Sequence, residues 1–190
     1  APSEALNALT VGALSEHKGF AALHPSDGII CLEQNGEAGS SITSARGLGP
    51  GNCIKPDVVI DGGLQELRCT PSVDDTKIKV VRGRRTGLKV ASPNLQTTLT
   101  TGTSNAASIT TRSILECAEA LMGDGGAYQG DELPRRDIAL LTRAIAINSA
   151  VWPESAEAFR QEALEEHGAT RHAIVKKEVS KHFGFGELQP

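Results

Sequence analysis

The chain has 190 residues, 39% of them hydrophobic and 3% aromatic, with 20 glycines and a formal net charge of −4. That length accommodates one modest core. The negative balance gives nucleic-acid binding no electrostatic footing, and no stretch has the length and apolarity of a membrane span.

Ala8 to Leu14 reads as a short buried strand and Gly28 to Glu33 as another. Gly36 to Pro50, rich in Gly and Ser, reads as loop with room for a short helical turn. Ile54 to Ile60 is a strand opened by Lys-Pro and closed by Asp61-Gly62-Gly63. Leu64 to Cys69 and Lys77 to Arg82 alternate as hairpin arms around a turn at Pro71 to Thr76. The run Arg82-Gly83-Arg84-Arg85 reads as a solvated turn. Gly87 to Ser92 is a further strand, and Gln96 to Thr101 is extended.

Thr103 to Met122 is expected to be a long helix whose apolar stripe runs through Ala107, Ile114, Ala118 and Leu121, widened by Leu115 and Met122. Gly123 to Glu132 is loop. Arg135 to Ala150 is a second helix, apolar on most sides through Ile138, Leu140, Leu141, Ile145 and Ile147, and therefore expected to be buried. Glu154 to His167 is amphipathic through Ala156, Phe159 and Ala163, and Arg171 to Phe183 carries Val175, Val179 and Phe183 at four-residue spacing. There is no internal repeat or low-complexity tract.

Chemistry concentrates at Thr101-Gly102-Thr103-Ser104-Asn105-Ala106-Ala107. A turn of small residues carries Ser104 into the first turn of a helix. Unpaired backbone N–H groups and the helix dipole favour developing negative charge there. Ser104 Oγ is thus placed as a nucleophile, with its own backbone N–H as an oxyanion donor. A simple N-cap would also need only one hydroxyl at this point, and the local pattern alone favours that reading.

Other polar residues form weaker sets. Cys31, Cys53, Cys69 and Cys117 show neither Cys-x-x-Cys pairing nor histidines at zinc spacing. As buried free thiols they fit a reducing, cytoplasmic setting, while an even number leaves disulfides in a secreted protein open. His17 or His24 with Asp27 could assemble a triad with Ser104 in space. His167, His172 and His182 read as surface residues. Asp124-Gly125-Gly126 with Asp131-Glu132 suits calcium by donor type but lacks the EF-hand spacing, so no metal or cofactor is expected. Gly47-Leu48-Gly49-Pro50-Gly51 lacks the ending of a phosphate loop. Asn7, Asn52 and Asn94 are oxyanion donors by type only.

Six segments, in order along the chain, resemble the subtilisin-like serine peptidases. Leu9-Thr10-Val11-Gly12-Ala13 resembles that family's Val-Thr-Val-Gly-Ala strand, and Ser41-Ile42-Thr43-Ser44-Ala45-Arg46-Gly47 its Ser-Phe-Ser-Ser-x-Gly segment. Lys55-Pro56-Asp57-Val58-Val59-Ile60-Asp61-Gly62-Gly63 resembles Lys-Pro-Asp-Val-x-Ala-Pro-Gly. Val90-Ala91-Ser92-Pro93 stands where a Val-x-Ala-Pro-like stretch precedes the nucleophile. Gly102-Thr103-Ser104-Asn105-Ala106-Ala107 resembles Gly-Thr-Ser-Met-Ala-x-Pro, and Phe183-Gly184-Phe185-Gly186 the closing Gly-Tyr-Gly. Departures are Asn105 for the usual Met or Phe, Ser108 for the helix-entry proline, and Asp61 for the proline of Ala-Pro-Gly. Asparagine after the serine suggests a divergent, bacterial-type branch.

The resemblance implies an α/β fold, a three-layer sandwich around a mostly parallel central sheet, of which residues 1–190 form the C-terminal portion only. Strands and loops would occupy about 8–101, the nucleophile helix about 103–122 and the C-terminal helices about 135–183. The implied activity is peptide-bond hydrolysis through an acyl-enzyme on Ser104, supported by Gly102, Thr103, Asn105 and Ala106. In the family the activating Asp, the His and the oxyanion Asn all precede the Val-Gly-Ala strand, and none of those motifs occurs here. The chain opens with Ala1-Pro2, and its one methionine is Met122, so the gene product is expected to start upstream. Expected partners are a peptide or protein substrate and the upstream half of the same domain, with self-association of the isolated piece through an exposed sheet edge and apolar face. The reading from another class is a non-catalytic interaction or regulatory module that uses the amphipathic helices after Glu154.

Overall fold

A computed structural model describes residues 8–15, 29–31, 39–71, 76–81, 86–94, 96–130, 133–168 and 170–189 of a mixed α/β chain. Its strands are β1 (Val11–Ser15), β2 (Ile29–Cys31), β3 (Gly39–Ser40), β4 (Gly47–Leu48), β5 (Ile54–Lys55), β6 (Val58–Asp61), β7 (Glu66–Pro71), β8 (Thr76–Val81), β9 (Leu88–Ala91) and β10 (Thr97–Thr100). Four helices follow: α1 (Thr103–Met122), α2 (Arg135–Ser149), α3 (Glu154–His167) and α4 (His172–Phe183).

The core forms around the sheet β3-β1-β6. Strands β1 and β6 run parallel, with Val11 opposite Val58 and Ala13 opposite Ile60. Side chains alternate along each strand, so the register sorts them onto two faces. Ala13 and Ile60 pack with Ala106 of α1, Ala146 of α2 and Leu188. Leu14 and Val59 face the other way and pack with Ala156 of α3 and with Val179 and Phe183 of α4. Helices therefore cover both faces, which explains why the two strands read as near-continuous apolar runs.

Both edges of this pair are occupied near the middle. On the β1 side, Ser41 N–H donates to Ala13 C=O at 2.8 Å and Ala13 N–H donates to Ser44 Oγ at 3.2 Å. On the β6 side, Val59 N–H donates to Gly186 C=O and accepts Leu188 N–H at its own carbonyl, each at 2.9 Å. Gly186, whose carbonyl makes the first of these contacts, stands at φ 137, a conformation that L side chains rarely adopt. The Ser41–Ser44 segment thus meets the outer edge of β1 at Ala13.

The remaining strands form smaller sheets: antiparallel β2-β7-β8, the β9-β10 hairpin and the β4-β5 ladder. The strand expected over Ile54 to Ile60 is split in two. Pro56 cannot donate to a ladder, and Asp57 N–H turns to Thr10 C=O instead. A short 3-10 turn at Pro50–Asn52 follows the Gly36–Pro50 loop, past the stretch in which a helical turn was expected. Residues 72–75 of the hairpin turn and the arginine run 82–85 lie outside the described residues.

Two helix faces differ from expectation. The fully buried positions of α1 are Ala106 and Thr110; Ala107 is exposed, as is Leu115 at 64%. Those of α2 are Thr142 and Ala146, with Leu140 exposed at 53%. Apolar periodicity weights large side chains, but the sheet is approached through the small ones, which let backbones come close. α2 is therefore a surface helix and not a buried one. α3 and α4 behave as expected, burying Ala156, Ala163, Val175, Val179 and Phe183. Beyond those positions Ile174 of α4 and Phe185 just after it stay exposed, at 37% and 43%.

Candidate active site at the start of the long helix

Strand β10 leads through Thr101 and Gly102 directly into α1. Gly102 is the N-cap, at φ 129 and ψ 178, and no side chain caps the helix. A residue with a Cβ is strained in that conformation, so the glycine is required by the sharp entry. Thr103 is the first helical residue and Ser104 the second, with Ser104 exposed. Ser104 Oγ has no hydrogen-bond partner among the described residues, so the hydroxyl is not spent on a cap.

The backbone donors divide in two. Gly102 N–H donates to Gly62 C=O at 2.8 Å, and Asn105 N–H donates back to Gly102 C=O at 3.1 Å. The N–H groups of Thr103 and Ser104 find no acceptor among the described residues. Two adjacent free donors at a helix start, beside a solvent-facing hydroxyl, can hold an anionic oxygen next to a nucleophile.

The turn is held from beneath. Asn105 Nδ2 donates to Thr100 C=O at 2.8 Å and to Gly62 C=O at 3.2 Å. Ala106 is fully buried against Ala13 and Ile60. The neighbouring wall is built by Gln65, itself almost fully buried. Gln65 Oε1 accepts Ile42 N–H at 3.1 Å and its Nε2 donates to Thr43 Oγ1 at 3.0 Å, while Ser41 Oγ and Thr43 Oγ1 lie 2.9 Å apart. A cavity of ≈ 270 Å³ lies beside this wall, lined by Thr10, Thr43, Arg46, Lys55, Pro56 and Thr103 among others.

Asp57 ties the cavity floor together. Its Oδ2 accepts Thr10 N–H at 2.7 Å, Thr10 Oγ1–H at 2.8 Å and Lys55 Nζ at 2.8 Å, and Arg143 of α2 reaches Oδ1 at 3.5 Å. Burial pushes the carboxyl up, but the Lys55 and Thr10 hydrogen bonds together outweigh it, so the group is held below the ordinary carboxylate range. Asp57 is a structural node of β1, β5 and α2. Its place in the Lys-Pro-Asp block was legible; its partners were not.

The other sequence candidates are scattered. Asn7, His17, His24, Asp27, Asp131 and Glu132 lie outside the described residues. His167, His172 and His182 sit on or at the ends of α3 and α4, the layer opposite α1. His182 is half-buried, its ring 4.2 Å from that of Phe159. Burial, with Arg46 and Lys181 nearby, depresses its pKa against the opposing pull of Glu178. Asn52 stands at φ 62 in the 3-10 turn, and Asn94 accepts Ser92 Oγ–H at 2.6 Å at the hairpin tip. Asp124 accepts a hydrogen bond from Gln129. Among the described residues no group of three or more His, Cys, Asp or Glu could hold a metal ion, and no helix is long and apolar enough to cross a membrane. Cys53 and Cys117 are free and half-buried. Gln65 escaped the sequence reading, because a lone Gln carries no periodic or motif signal; Thr43 was legible as part of the Ser41–Gly47 segment, but its partner was not.

No family model matches the chain, and no curated protein or solved structure shows significant similarity to it.

Proposed function

We propose that the chain is the C-terminal part of a subtilisin-like serine peptidase domain and that Ser104 is its nucleophile. The observation that carries this reading is the entry into α1: an exposed serine at the second helical position whose hydroxyl, like the backbone N–H groups of Thr103 and Ser104, has no hydrogen-bond partner among the described residues. The surrounding architecture supports it. The Val-Gly-Ala strand and the Lys-Pro-Asp strand pair in parallel, helices lie on both faces, and the Phe-Gly segment closes the edge of β6.

In this reading Ser104 Oγ attacks the scissile carbonyl, the C–N bond breaks as the leaving amine takes the proton removed from the serine, and water then hydrolyses the acyl-enzyme to release the acid and the free serine. The Ser104 N–H stabilises the oxyanion. A His that takes the serine proton, an Asp that orients that His, and a second oxyanion donor come from residues upstream of Ala1 in the same polypeptide. Triad members act as a unit, so Ser104 without its base is close to inert.

The test uses a fluorophosphonate probe and a peptidase assay on the polypeptide with its upstream residues. Labelling at Ser104, and loss of both labelling and turnover in Ser104→Ala, are expected. Residues 1–190 alone should show neither. Turnover that survives Ser104→Ala overturns the proposal. Robust turnover by residues 1–190 alone, lost in Ser104→Ala, would keep Ser104 but require a base within this chain, His17 or His24.

A further inference from the structure

We propose that Asn105 is a positioning residue whose side-chain amide clamps the nucleophile turn to the sheet and so sets where Ser104 stands. The inference rests on the reading of Ser104 as nucleophile. A primary amide has two N–H donors. Both are accounted for here, one on Thr100 C=O at 2.8 Å and one on Gly62 C=O at 3.2 Å. Thr100 ends β10 and Gly62 follows β6, so one side chain joins the last residue of a hairpin, the turn after a core strand and the first turn of α1.

Gly62 C=O is shared. It also accepts Gly102 N–H at 2.8 Å. One carbonyl therefore holds the N-cap residue that precedes the helix and the residue that follows the serine, engaging both of its lone pairs. Ser104 lies between these two anchors. Its backbone cannot shift along the sheet without breaking one of them, while its hydroxyl stays outside. Half-burial of Asn105 keeps water from competing for the same carbonyls, which strengthens both bonds.

The same accounting fixes what Asn105 does not do. With both amide hydrogens turned toward backbone, it has no donor left for an oxyanion. A Met or Phe in its place, as in the family the chain resembles, has no donor at all. In this chain the turn is held by hydrogen bonds where those side chains would hold it by packing.

The test combines amide hydrogen exchange with kinetics on the polypeptide with its upstream residues, using Asn105→Ala and the isosteric Asn105→Asp. In both variants exchange at Gly102 N–H should quicken by about tenfold or more, with the α3 and α4 amides unchanged. The kcat should fall about 100-fold, because a small misplacement of a reacting group costs that much, with KM held within about twofold. Asn105→Asp retains shape but turns acceptors toward two carbonyls. Acidification, by protonating the carboxyl and restoring one donor, should raise the protection of Gly102 N–H relative to its intrinsic exchange rate at the same pH. Unchanged exchange at Gly102 overturns the clamp, and so does quickened exchange with unchanged kcat. Should Ser104→Ala retain turnover, the nucleophile reading fails separately, and exchange at Gly102 alone decides the clamp.

Discussion

Gly62→Ala isolates the packing beneath the nucleophile turn. Gly62 is not in the left-handed region, so the backbone accepts a side chain and the test is purely steric. A Cβ built there would lie 2.6 Å from Ala13 Cβ and 2.9 Å from Gly102 C=O. Relaxed carbon contacts stand at about 3.5–4.0 Å. Roughly 1 Å of overlap must therefore be relieved, by moving β1 away from β6 or the start of α1 away from the sheet. Neither neighbour is the far end of a flexible side chain; one is a Cβ in the core and the other is backbone. Overpacking of this kind costs about 1–3 kcal/mol. For a chain of this size each kcal/mol lowers Tm by about 2–4 °C, so a fall of about 2–12 °C is expected by calorimetry. Gly39→Ala is the control, since nothing lies within 4 Å of its added Cβ; it should be neutral or slightly stabilising. A Gly62→Ala melt that coincides with the parent would refute the reasoning, because it would mean that the turn after β6 and the start of α1 do not touch.

Ser104→Ala should leave Tm within about 1 °C, since the hydroxyl is exposed and an N-cap loss of about 1 kcal/mol is not in play; a drop of several degrees would return the serine to a capping role. Asp57 has a folded pKa below its ordinary value. Its contribution is therefore complete above about pH 5 and is lost as pH falls through about 4 and then through the depressed folded value. Asp57→Asn should flatten the fall of denaturant midpoint across that acid range, and an unaltered slope would show that another group governs it. His182 is also depressed, so its stabilising share is present above about pH 7 and is lost as pH drops below about 6.5 toward the folded pKa. His182→Phe keeps a ring against Phe159 and should remove that dependence below about pH 6.5, which a pH series of thermal melts reads directly.

Several features were legible in order along the chain because each depends on local chemistry. The apolar runs at Val11–Ser15 and Val58–Asp61, the alternating arms of β7 and β8, and the small-residue entry at Gly102 announce two buried strands, a hairpin and a helix start without reference to the rest of the molecule. The four-residue spacing of Val175, Val179 and Phe183 likewise gave the buried face of α4. Other features depend on which element lies opposite. The stripe of α1 falls on Ala106 and Thr110 because a sheet approaches there, and hydrophobic periodicity cannot weigh the advantage of a small side chain at a close crossing. α2 reads as a buried helix until the tertiary structure supplies only a narrow line of contact, at Thr142 and Ala146. The site divides along the same boundary. Sequence places Ser104 at a helix start, because that requires only its neighbours. The clamp from Asn105 to Gly62, the Gln65–Thr43 wall and the Asp57 node bring together residues that are tens of positions apart. No local pattern encodes such a meeting; it exists only once β1 and β6 have paired and α1 has settled on them.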